Sequence, residues 1–112
     1  MRVLIVDDSP LERMYLSVCF EGIAEVDFAE HGYAAVTAVS RSLQEGGTPY
    51  DLICLDITMP VMNGLEALRL IRRLEEQHGS SRSTIFMITS HDSPEDMITA
   101  ITVGGCDDYM VK

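Results

Sequence analysis

The chain has 112 residues, 46% of them hydrophobic, which is enough for one compact domain without disulfide or metal staples. Eighteen acids against eight bases give a formal net charge of -10, arguing against direct nucleic-acid binding, because phosphate contacts need clustered Lys and Arg. No apolar run reaches the roughly 18 residues of a membrane span and no signal-peptide pattern opens the chain, so the expectation is a cytoplasmic protein with no membrane partner.

In chain order, Arg2 to Val6 is a β-branched and apolar run that reads as a strand. Leu11, Met14, Tyr15 and Val18 follow at i, i+3, i+4 and i+7, one apolar stripe, through which a first helix is expected to pack on the sheet. Glu25 to Ala29 reads as a second strand, then Gly32 to about Gln44 as a helix with Ala35, Val36 and Val39 inward. Leu52 to Asp56 is the third strand, and a helix from Gly64 to about Gln77 is expected to bury Ala67, Leu68, Ile71 and Leu74. Its Arg69, Arg72 and Arg73 share a face with Glu76 and read as a solvated surface. Thr84 to Thr89 is the fourth strand. A fourth helix after Pro94 has Met97, Ala100 and Ile101 on one side, and Asp108 to Val111 is the fifth strand.

Gly46-Gly47-Thr48-Pro49 and Gly79-Ser80-Ser81 are only loop-sized, so residues 1–112 read as one domain. Cys19, Cys54 and Cys106 are widely spaced and outside any CxxC or Cys/His pattern, which reads as three buried thiols in a reducing compartment. His31 and His78 read as ordinary loop or helix-end residues.

Unbroken alternation of strand and helix implies an α/β domain with a doubly wound parallel sheet of five strands, right-handed crossovers and helices on both faces. In such sheets chemistry gathers beyond the carboxyl ends of the strands. Three of those ends carry Asp7-Asp8, Asp56 and Thr89-Ser90, and the fifth closes on Lys112. Helix capping competes as an explanation for Asp7 and Asp8. Ser9 as N-cap, Pro10 at the first helical position and Glu12 three after Ser9 already form a capping box, which leaves the two acids without an obvious structural duty. For Asp56 alone, a simple turn into the loop serves equally well as an explanation. Three carboxylates about 5 Å apart would repel pairwise by about 3 kcal/mol at an effective dielectric of 20, a cost that asks for a cation. An all-oxygen ligand set points to a hard ion such as Mg2+. A carboxylate beside that ion can attack phosphorus, with Lys112 and the Thr89 hydroxyl holding the phosphoryl oxygens.

These residues resemble the receiver domain of bacterial two-component response regulators, the single-domain chemotaxis type in particular, along the whole chain. Asp56, Met59-Pro60 and Asn63-Gly64 match the family's D-x-x-M-P-x-x-[DN]-G spacing, and Gly105-Cys106-Asp107-Asp108-Tyr109-Met110-Val111-Lys112 matches G-A-D-D-Y-x-x-K with Cys106 in the Ala place. The resemblance implies the flavodoxin-like strand order 2-1-3-4-5. It implies Mg2+ held by Asp7, Asp8, Asp56 and the Thr58 carbonyl, with Asp56 as phospho-acceptor, Lys112 as phosphate-binding lysine, and Thr89 and Tyr109 as the switch pair. The implied donor is a sensor histidine kinase or a histidine phosphotransfer protein. The implied output is a downstream protein target or output domain, or a dimer through the face of the fourth helix and fifth strand. The chain is then a phospho-acceptor switch that catalyses only its own phosphorylation and dephosphorylation. Thr58 and His91, each two residues past a site residue, are expected to tune the lifetime of the phosphoryl group.

One departure stands out. The family continues past this lysine into a fifth helix of about a dozen residues, a usual helix length, whereas this sequence stops at Lys112. The expectation is either a piece of a longer protein or a partner over the uncovered sheet face. Two rivals bear on the function. A phosphohydrolase of the haloacid-dehalogenase type needs an acid at position 58, where Thr58 stands. A degenerate receiver serving as a phosphorylation-independent interaction module can lose acid, hydroxyl or lysine, yet all are present.

Overall fold

The computed structural model describes residues 1–44, 46–57, 62–89 and 105–111, with backbone alone for 89 and 109–111. Its elements are β1 (Arg2–Val6), α1 (Pro10–Val18), β2 (Glu25–Ala29), α2 (Gly32–Ser42), β3 (Leu52–Asp56), α3 (Gly64–Gln77), β4 (Thr84–Thr89) and β5 (Asp108–Val111). The helix expected after Pro94 lies outside the described residues. All strand pairs are parallel and the order is β2-β1-β3-β4-β5, the order expected.

Strand residues alternate between two cores, as the pleat requires. Leu4, Val6, Ile53, Leu55, Ile85 and Met87 face α2 and α3, where Ala35, Val39, Ala67, Leu68 and Ile71 are buried against them and Val36 and Leu74 partly so. Val3, Ile5, Cys54 and Ile88 form the opposite cluster, against which Leu16 and Phe20 pack. Burying each large side chain of these cores contributes about 1.5–3 kcal/mol, so the two sheet faces dominate the stability. Among the described residues no helix is long and apolar enough to cross a membrane.

The expected inward stripe of α1 is corrected here. Leu11, Met14, Tyr15 and Val18 are 59% to 66% exposed, and Leu16 and Phe20 meet the sheet instead. At about 3.6 residues per turn Leu16 lies nearly half a turn from that stripe, and Phe20 follows just past the helix end, so apolar residues stand on both sides of the helix. Periodicity finds both faces and cannot choose between them. Arg13 lies on the sheet-facing side with Leu16, and its Nη1 donates to the Asp7 carbonyl at 2.7 Å, tying that side of the helix to the strand end.

Two further expectations change. Cys19 is exposed, while Cys54 and Cys106 are buried as expected. Burial, reinforced by nearby Cys19, pushes the Cys54 thiol up to about 11. Arg72 is no solvated side chain either. It is 13% exposed and ion-paired to Glu75 and Asp107, whereas Arg69, Arg73 and Glu76 are exposed. His31 caps α2, its Nδ1 accepting from the Ala34 N–H, and His78 closes α3, in line with their reading as end residues.

At the amino ends of the strands, Arg2 joins β1 to its surroundings. Its backbone N–H donates to Asp51, its guanidinium to the Thr48 carbonyl and Asp27, and it lies 4.5 Å from the Tyr50 ring centroid. Tyr50 donates to Asp27 at 2.7 Å, and burial together with that bond pushes the phenol up to about 12.

The orientation of α1 sets up a direct contrast. Leu16→Ala and Phe20→Ala are expected to lower unfolding free energy by about 1–3 kcal/mol, whereas Met14→Ala and Val18→Ala should stay within about 0.5 kcal/mol. Urea unfolding of the four variants checks this; losses at Met14 and Val18 as large as those at Leu16 would reverse the assigned face.

Candidate functional site

Neighbouring strands carry the acids to one place. Val6 of β1 pairs with Leu55 of β3, so Asp7, the next residue, comes beside Asp56, the last of its strand. One carboxylate oxygen from each of Asp7, Asp8 and Asp56 lies within 4.8 Å of the others. Asp7 and Asp56 are buried, at 1% and 4% exposure, while Asp8 stands at the exposed rim.

The local chain holds this arrangement. The Asp7 N–H donates to the Ala29 carbonyl at 3.1 Å, continuing the β1–β2 ladder past the strand end. Ser9 caps α1 as expected, its Oγ accepting from the Glu12 N–H at 3.3 Å, with Pro10 in the first turn. The other half of the expected capping box takes a different form. The Ser9 N–H donates to Asp7 Oδ1 at 2.9 Å, so Asp7 has a structural duty after all. One carboxylate oxygen thus orients the turn from β1 into α1 while the residue also joins the cluster. A short acid two residues before a helix start is the sequence signal for such a turn.

Asp56 is fixed from the α3 side. Asn63 caps that helix by accepting from the Glu66 N–H at 3.0 Å, and the Gly64 N–H donates to the Ile57 carbonyl at 2.9 Å. A Cβ on Gly64 would come 2.2 Å from the Asp56 carbonyl oxygen, so only glycine lets α3 start against the end of β3.

Other expected site residues are located by backbone alone. Asp56 pairs with Ile88, so Thr89 stands one step further along the neighbouring strand, and Thr89 pairs in turn with Val111. Tyr109 pairs with Met87 on β5. Thr58, His91 and Lys112 lie outside the described residues. Sequence reasoning missed Arg13, which reaches the Asp7 carbonyl, and Arg72, which ties α3 to the entries of β4 and β5.

Three carboxylates this close repel, and a divalent cation with oxygen preference fits the set because it replaces that repulsion with attraction. Among the described residues no His or Cys belongs to the cluster, which disfavours zinc. A parallel sheet with helices on both faces defines a doubly wound α/β domain, and its acids gather at the carboxyl edge, where such folds hold their ligands.

The family model for the response regulator receiver domain matches residues 3–112, and the chain belongs to that family. It is 35% identical to the sensor protein GacS of Pseudomonas syringae pv. syringae over 112 residues, covering 99% of this chain but 12% of GacS. The two-component response regulator ORR41 of Oryza sativa subsp. japonica is 34% identical over 115 residues, covering 100% of this chain and 83% of that relative. Among solved structures, the receiver domain of the histidine kinase CKI1 from Arabidopsis thaliana, complexed with Mg2+ and BeF3-, has a TM-score of 0.88. It is 32% identical, covering 98% of this chain and 79% of that one. This chain is thus a receiver domain of two-component signalling, homologous to those of histidine kinases and of response regulators.

Because a methyl at residue 64 collides with the Asp56 backbone, Gly64→Ala is expected to cost about 1–3 kcal/mol of stability. Denaturant midpoints check it; a change within about 0.5 kcal/mol would show that α3 does not bear on β3 there.

Proposed function

We propose that this receiver accepts a phosphoryl group on Asp56 and uses it to switch partner binding. The observation that carries this reading is the juxtaposition of Asp7 and Asp8 with Asp56 at the carboxyl edge of the sheet. The CKI1 receiver, similar over nearly the whole chain, was crystallised with Mg2+ and BeF3-, an ion and a phosphoryl mimic, which supports it.

In the reading, Asp7, Asp8, Asp56 and the Thr58 carbonyl hold Mg2+, which supplies charge neutralisation for the incoming phosphoryl oxygens. An Asp56 oxygen attacks phosphorus in line with the phosphohistidine of a sensor kinase or a histidine phosphotransfer protein. The P–N bond breaks, its electron pair stays on the imidazole, and an aspartyl phosphate forms. Thr89 and Lys112 take the phosphoryl oxygens by hydrogen bond and ion pair. The new group brings about -1.5 to -2 charge, toward which Thr89 turns, with Tyr109 following. The face of β5 and of the helix expected after Pro94 then favours a downstream protein, an output domain or a second receiver. The chain catalyses only its own phosphorylation and dephosphorylation, and a cytoplasmic location suits this role. Thr58 and His91 set how long the phosphoryl group lasts.

Mass spectrometry after incubation with Mg2+ and acetyl phosphate tests the reading. One added phosphoryl group is expected, lost on Asp56→Ala, with the rate lowered about tenfold or more by Thr89→Ala or Lys112→Ala. Thr58→Ala and His91→Ala should change the dephosphorylation rate several-fold. A wild-type chain that takes no phosphoryl group at Asp56 would instead be the phosphorylation-independent interaction module.

A further inference from the structure

At the end of the sheet away from the acids, a single guanidinium joins three elements. Arg72 Nε donates to the Gly105 carbonyl at 3.0 Å. Its Nη1 donates to Glu75 Oε1 at 2.8 Å and to the Ser83 carbonyl at 2.7 Å, and Nη2 donates to Asp107 Oδ2 at 2.9 Å. Glu75, itself buried, accepts through Oε2 from the N–H and the hydroxyl of Ser83, both at 2.7 Å. Asp107 Oδ2 also takes the Ile85 N–H at 2.8 Å, while the Asp107 N–H donates to the Ile85 carbonyl at 2.9 Å. The chain enters this clasp through Gly105 at φ +78, where Arg82 Nη2 donates to the same Gly105 carbonyl.

Strand β5 needs such a device. It spans four residues and, among the described residues, pairs with β4 alone, so its ladder is short and one-sided. A slip by one residue would send every side chain to the opposite face of the sheet. The clasp grips the two residues that fix where β5 starts, and the register then sets Tyr109 opposite Met87 and Val111 opposite Thr89. Lys112 follows Val111 directly in the chain. Lysine at position 72 would carry the charge without the planar fork that serves four acceptors at once.

We propose that Arg72 is a positioning residue of the phospho-acceptor site: by clasping Gly105 and Asp107 it locks β5 on β4 in the register that sets Tyr109 opposite Met87 and Val111 opposite Thr89, one residue before Lys112 in the sequence. The proposal rests on the phospho-acceptor reading and adds to it a residue that touches neither metal nor phosphoryl group. It separates two dependencies. Mg2+ binding draws on β1 and β3, while phosphoryl transfer also draws on β5.

The test uses the full chain as Arg72→Ala, with Arg72→Lys as the milder variant that carries the experiment should the alanine form not fold. Amide hydrogen exchange is expected to accelerate about tenfold or more at residues 107–111 and to stay within about twofold in β1 and β3. Mg2+ affinity by calorimetry should stay within about twofold, while the phosphorylation rate with acetyl phosphate falls about tenfold or more, less in the lysine variant. Unchanged exchange in β5, or an unchanged phosphorylation rate despite faster exchange there, overturns the proposal. So does a parallel loss in β1, β3 and Mg2+ affinity, which would make Arg72 a general stabiliser. A wild-type chain that takes no phosphoryl group defeats the phospho-acceptor reading, and the exchange pattern still decides whether Arg72 holds β5.

Discussion

Everything at the carboxyl edge depends on holding Asp7, Asp8 and Asp56 together against their mutual repulsion. With oxygens within 4.8 Å, each pair costs about 3 kcal/mol at an effective dielectric of 20, a sizeable share of the roughly 5–15 kcal/mol by which a domain is stable. The fold meets that cost with strand pairing, close packing and hydrogen bonds around the acids. Parallel pairing of β1 and β3 sets the acids side by side, and Gly64 lets α3 close against Asp56. Asp7 is held further by the Ser9 N–H at its carboxylate and by Arg13 at its carbonyl. Two of the three acids are buried, where a cation interacts most strongly with them.

The two edges of the sheet divide the work. At the amino ends, long side chains clasp loops to strands: Arg2 with Thr48, Asp51, Asp27 and Tyr50 near β1, and Arg72 with Glu75, Ser83, Gly105 and Asp107 near β4 and β5. At the carboxyl ends, short acids converge and a glycine lets α3 close against β3. Strands locked at one end can carry like charges at the other without slipping in register, because a parallel strand cannot shift at one end alone.

The five strands were legible to the residue, since β-branched and apolar runs such as VLIV and LICL are bounded by acids and turn residues that end them sharply. The acidic cluster was legible too, because strand ends in a parallel sheet share one edge. What the sequence hid were choices that tertiary packing makes. Leu16 and the stripe of Leu11, Met14, Tyr15 and Val18 share one helix, and only the packing of Leu16 and Phe20 on the sheet, with Arg13 bonded to the Asp7 carbonyl, distinguishes its two sides. Arg72 carries the same local pattern as its exposed neighbours Arg69 and Arg73. Its burial comes from partners that local pattern does not show, Ser83 and, more than thirty positions away, Gly105 and Asp107. The capping box at Ser9 was half right, because the partner of the Ser9 N–H is Asp7 and not Glu12.

The most direct test of the account is thermal unfolding of the wild type and Asp8→Asn with and without Mg2+. This change removes one of the clustered charges and leaves the Ser9 N–H to Asp7 bond in place. The account expects saturating Mg2+ to stabilise the wild type, by about 2.7 kcal/mol at a hundredfold excess over Kd. Without Mg2+, Asp8→Asn should unfold at a higher temperature than the wild type, and it should lose most of the stabilisation by the ion. A wild type indifferent to Mg2+, or an Asp8→Asn chain less stable than the wild type without the ion, would contradict the claim that these acids are held together for a cation.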